Sequence, residues 1–178
     1  MEPDVIPIMN IEKGFQIDEP SVFVPWDIDE KGLENLLGEF GIKKVKAGYY
    51  CISCKSLGGL HHELGLHFEE KEDEQEREEL ENFVKSIGKI IKTIGPSYDP
   101  KREGKLKELE FYRKSYPNSK ESFDEFQSYF EKEFGKPTQC KMGKEGLPGY
   151  DWRLKGVRIY HYVYERFGVE EHLRITKV

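Results

Sequence analysis

The chain has 178 residues, 37% of them hydrophobic and 13% aromatic, with a formal net charge of −6 from 34 acids and 28 bases. That length suits one domain, 1–178, and can bury roughly 70% of the surface it exposes unfolded. The acidity argues against a nucleic-acid partner, which needs a positive footprint. No apolar run approaches the roughly 20 residues that span a bilayer, so no membrane association is expected. The first residues lack the basic and apolar pattern of a signal peptide. Three cysteines, Cys51, Cys54 and Cys140, are too few for a disulfide framework. The expected location is the cytoplasm.

Residues 1–26 read as an irregular or strand-like lead-in, with Val22-Phe23-Val24 as a short apolar run and Trp26 docked on the core. Asp27 and Glu30 have capping-box spacing, and Leu33, Leu36, Leu37 and Phe40 follow on one helical face up to Gly41. Segments 43–54 and 60–69 are expected to pair as a hairpin about the Ser56–Gly59 turn. In the second of these, Leu60, His62, Leu64, Leu66 and Phe68 alternate with His61, Glu63, Gly65 and His67.

The charged run 69–79 leads into an apolar stripe, Leu80, Phe83, Val84, Ile87, Ile91 and Ile94, which predicts a second helix. Leu106–Tyr112 alternates as a strand, with Leu106, Glu108 and Glu110 on one face. Ser122 and Glu125 form a second capping box before Phe123, Phe126, Phe130 and Phe134, a third helix closed by Gly135 and Pro137. Residues 138–149 read as a Gly-rich loop. Strands near 150–155, 157–166 and 171–177 complete a meander.

The expected fold is α+β, a mainly antiparallel sheet of about six strands with three helices on one face. Glu39-Phe40-Gly41 and Glu133-Phe134-Gly135 both end helices ahead of hairpins, which suggests a faint internal duplication.

Chemistry-bearing patterns are sparse. No G-x-S-x-G elbow, Walker loop or dinucleotide fingerprint is present, so no cofactor is expected. His61 and Glu63 share a strand face, but His67 lies too far along it to join them on one ion, so no metal site is expected. The alternative catalytic reading, a small metal- or thiol-dependent enzyme, combines His61 and Glu63 with Cys140 from the Gly-rich loop. Cys51 and Cys54 have redox spacing but fall within a strand, where their sulfurs point to opposite faces. His161, between Val157, Ile159 and Val163, reads as a core histidine.

The strongest lead is the stripe Arg158, Tyr160, Tyr162, Tyr164 and Arg166, because Tyr and Arg dominate the energetic centres of interfaces. Its bland counterpart is a tyrosine ladder that stabilises the sheet. A third possibility is a small-ligand domain whose concave sheet is lined by Tyr and Trp152.

The helix from Ser122 to Pro137, ending Phe-Gly-Lys-Pro, and the Tyr150–Val178 meander with Trp152-Arg-Leu-Lys-Gly-Val-Arg-Ile resemble small acidic α+β immunity proteins of bacteria. That resemblance covers the last third and rests on architecture. It implies a non-catalytic protein that binds a protein partner, and it assigns no functional residue.

Overall fold

In a computed structural model the described residues are 10–69, 104–113, 119–142, 148–165 and 169–178. Among these residues ten strands form one antiparallel sheet: β1 (Gly14–Glu19), β2 (Val22–Pro25), β3 (Lys43–Lys46), β4 (Tyr49–Ser56), β5 (Leu60–Phe68), β6 (Leu106–Tyr112), β7 (Gln139–Met142), β8 (Pro148–Leu154), β9 (Val157–Glu165) and β10 (Val169–Lys177). Among the described residues two helices accompany them, α1 (Glu30–Leu37) and α2 (Ser119–Phe134). The spatial order is β2-β1-β4-β5-β6-β10-β9-β8-β7, with β3 also paired to β4.

This overturns the six-strand, three-helix expectation. The lead-in contains the β1–β2 hairpin. Segment 43–54 is two strands, because Gly48 takes a left-handed φ of 68° and turns β3 back on β4. Part of the Gly-rich loop is edge strand β7, paired to β8. Short or exposed edge strands have little apolar alternation, so periodicity does not reveal them. The second helix expected over 80–94 lies outside the described residues.

Helix boundaries shift for identifiable reasons. Asp29, not Asp27, caps α1, its Oδ1 accepting from the Gly32 amide at 2.7 Å. Phe40 falls in a 3-10 turn and is 48% exposed rather than on the buried face. Helix α2 starts three residues before Ser122, so that serine faces the core instead of capping.

The register separates two chemistries. Tyr50, Leu66, Leu109, Ile175, Ile159 and Trp152 are neighbours on successive strands, and all are buried. Leu33 and Leu37 of α1 and Phe126 and Phe130 of α2 join them in one core. Each such side chain contributes roughly 1.5–3 kcal/mol by leaving water. The opposite row runs Cys51, Gly65, Glu110, Arg174, Tyr160, Asp151 and Gln139, one residue from each of seven strands. One face of the sheet is hydrocarbon and carries the helices. The other is polar.

Leu106 departs from the expected alternation. A bulge between His67 and Phe68 pairs Phe68 with Leu106, so Leu106 is buried with Leu109 and Phe111 while Glu108 and Glu110 take the polar face.

Candidate functional site on the polar face

Arg158, Tyr160 and Tyr162 lie on the polar face of β9, as the stripe requires. Tyr164 holds the next position on that strand, opposite Glu170, but its side chain and all of Arg166 lie outside the described residues. His61 and Glu63 of β5 share the same face, opposite Lys55 and Ser53. Two groups of residues that the sequence offers as rival sites thus belong to one surface.

Cys140 does not join them. It pairs with Tyr150, which packs on Phe123 of α2, so it stands on the helix-bearing side of edge strand β7. Five strand spacings separate β7 from β5, about 24 Å at ~4.8 Å each. The set His61, Glu63 and Cys140 is not assembled. Among the described residues no three His, Cys, Asp or Glu side chains gather to hold a metal ion. Cys51 and Cys54 are free thiols on opposite faces, Cys54 buried.

The centre of the polar face is a charged cluster. Glu110 accepts from Arg174 Nη2 at 2.8 Å and contacts His67 Nε2 at 3.0 Å. Arg174 Nη1 reaches Glu108 at 3.2 Å, and Thr176 donates to the same carboxylate at 3.0 Å. The bond to His67 and the charge of Arg174 hold the Glu110 carboxyl down at about 2.

Aromatic rings flank this cluster. Tyr49 stacks on His67 with centroids 4.2 Å apart, and its ring crosses Gly65, where a Cβ would sit 3.0 Å from Tyr49 Cε2. Glycine is what allows the ring to lie there. The Cys51 thiol donates to the Tyr49 hydroxyl at 3.1 Å. On the other side Tyr162 stacks on His172 at 5.2 Å and touches Tyr160 at 4.7 Å.

Arg158 donates twice to Asp151, at 3.0 and 2.8 Å, and its guanidinium lies over the Tyr160 ring at 5.0 Å. This fork lowers the Asp151 pKa and raises that of Arg158. Arg158 remains substantially exposed while Asp151 is buried. Arg158 and Tyr162 thus each make a contact across to a neighbouring strand, with Asp151 of β8 and His172 of β10.

Sequence reading did not single out Glu108, Glu110, Arg174, Tyr49 or Asp151. Its usable signal was complementary alternation, Glu108-x-Glu110 in one strand against Arg174-x-Thr176 in another. Without the β6–β10 pairing, those two patterns have no reason to be matched.

Two histidines occupy the helix-bearing side. His161, fully buried, contacts Gln127 at 3.0 Å and Glu171 at 2.8 Å, and Ser122 donates to the second Glu171 oxygen. Burial lowers its pKa, with the Glu171 carboxylate opposing. Ser122, Glu171 and His161 do not make a nucleophilic triad, because the carboxylate stands between hydroxyl and imidazole. His62, 2% exposed, meets Ser56 Oγ, and its pKa is pushed down to about 4 by burial. Trp152 is 1% exposed and donates to the Gly135 carbonyl from the core, so it does not line a surface with the tyrosines.

No family model, curated protein or solved structure matches the chain. No helix among the described residues is long and apolar enough to cross a membrane.

Proposed function

We propose that the protein acts by binding a protein partner, without catalysis, through the polar face of its sheet. The observation that carries this reading is the polar row itself. Tyr160, Tyr162 and Arg158 stand on a face to which neither α1 nor α2 is docked, each already held by a neighbour. Side chains fixed before binding lose little rotamer freedom on association, which is how Tyr and Arg become anchors. The separation of Cys140 from His61 and Glu63 and the order of the Ser122–Glu171–His161 chain both favour binding over catalysis.

The partner presents a basic docking side. The chain carries −6, and Glu63 is exposed beside Tyr112, itself 59% exposed. Such a field speeds encounter with a basic surface. In its sharper form the reading is immunity-like, a cytoplasmic protein that neutralises a toxin by covering it.

The test starts with co-purification from native lysate and ends with purified partner. Tyr160→Ala/Tyr162→Ala should weaken Kd at least about ten-fold in calorimetry, since anchor residues cost upward of ~1–2 kcal/mol each. Circular dichroism should show the fold intact. An unchanged Kd, or a partner with an acidic docking side, defeats the reading.

A further inference from the structure

A second site lies away from the polar row, where the β1–β2 hairpin meets the start of β6 and the end of β10. The junction leaves an open pocket of about 530 Å³, within the range of small-molecule sites, roughly 300–1,000 Å³. Phe23, Pro25 and Trp26 form an apolar wall. That wall is held in place. Trp26 Nε1 donates to the Ile11 carbonyl at 2.7 Å, and the Trp26 amide donates to the Lys13 carbonyl at 3.1 Å. Phe23 lies across Gly14, where a Cβ would come within 2.6 Å of its Cζ. Phe23 nevertheless keeps 41% of its surface exposed, apolar area open to a ligand.

Charge defines the rest. Lys13 and Lys105 line the pocket, and neither ammonium has an ion pair or side-chain hydrogen bond among the described residues. Lys177, also lining it, donates to the Glu12 carbonyl at 3.1 Å. The carboxylates of Glu12 and Asp27 stand at the same pocket and are exposed. Three cations against two anions leave a small positive excess. No arginine fork is present among these lining residues, so the chemistry suits one negative charge better than a phosphate dianion.

We propose that this pocket binds a small monoanionic carboxylate bearing an aryl or branched alkyl group. The apolar part packs on Phe23 and Pro25, backed by the buried Trp26, and the carboxylate reaches Lys13 and Lys105. This site is independent of the polar face.

The probe is 4-phenylbutyrate, with 4-phenylbutanamide as its uncharged counterpart, added to the full chain and followed by saturation-transfer NMR and calorimetry. The carboxylate should bind with Kd on the order of 1 mM, as expected for a ligand this small. The amide should bind at least about five-fold more weakly, and Lys13→Ala/Lys105→Ala should weaken the carboxylate to the same extent. Added salt should weaken binding to the unaltered chain, which tests the charge contribution even if the double variant folds poorly. Tyr160→Ala/Tyr162→Ala should leave binding unchanged, whatever becomes of the partner. Absence of saturation transfer, equal affinity for the amide, or affinity insensitive to both lysines and salt overturns the proposal.

Discussion

Glu110 of β6 and Arg174 of β10 face each other at the middle of the sheet, with Arg174 Nη2 donating to Glu110 Oε1 at 2.8 Å. This pair ties together two halves of the chain, and Glu110, held by His67 first and Arg174 second, carries a definite pH signature. The folded Glu110 carboxyl lies at about 2, against an ordinary 4.5. A depressed acid contributes stability above its unfolded pKa and loses it as pH falls toward its folded one. The window is therefore pH 4.5 down to about 2. The side chain is 25% exposed, and solvent screening trims the contribution to about 1–2 kcal/mol. Urea unfolding at pH 6 and pH 3 should show a smaller acid-dependent loss in Glu110→Gln than in the parent chain.

His62 acts in a higher window. Burial takes its pKa from 6.5 to about 4, so between those values the unfolded chain binds a proton that the folded chain refuses. Stability should fall as pH drops from 6.5 to 4, by about 2–3 kcal/mol from this group alone. His62→Gln should be less stable at pH 7, having lost a packed ring beside Phe111. It should also be flatter across that window. Equal slopes in the two proteins would show that His62 is not the titrating group.

Phe130 belongs to the contact between α2 and the sheet. It is fully buried against Phe134 and Trp152, with ring centroids 5.9 and 5.7 Å away. Phe130→Ala should cost about 3–5 kcal/mol in chemical denaturation, the usual loss for a buried ring leaving a cavity.

Gly65 should matter out of proportion to its size. A methyl group there meets Tyr49 at 3.0 Å and 3.2 Å, so Gly65→Ala displaces the ring from His67. The expected cost is about 1 kcal/mol. The sharper readout is chemical. Cys51 loses its contact with the Tyr49 hydroxyl, and in a Cys140→Ser background its reaction with a thiol reagent should accelerate. An unchanged rate would mean that Tyr49 does not shield the thiol.

Much of this architecture is legible in the residues. The alternation Leu60-His61-His62-Glu63-Leu64 assigns both faces of β5 correctly, and Val157-x-Ile159-x-His161-x-Val163 does the same for β9. Trp26 and His161 are core residues, as their surroundings imply. What was hidden is long-range pairing. Lys43–Lys46 is exposed throughout and Gln139–Lys141 likewise, so neither carries a buried face from which to infer a strand. The charged cluster needed the β6–β10 register, which joins segments 64 residues apart at Glu110 and Arg174. Single-strand periodicity cannot supply that partner.

Beyond the β2–β1 hairpin the strand order runs β4-β5-β6, and from the far edge it runs β7-β8-β9-β10, the two series meeting at β6 and β10. Every other neighbouring pair from β4 through β8 brings together strands adjacent in the chain or linked by one connection, so the seam bears the highest loop-closure entropy. It should be among the last contacts made during folding. Until it closes, each series exposes an unpaired inner margin of backbone amides and carbonyls, the geometry that recruits a neighbouring chain. Rapid refolding at high protein concentration should therefore yield exchanged dimers in which β6 of one molecule is zipped to β10 of another.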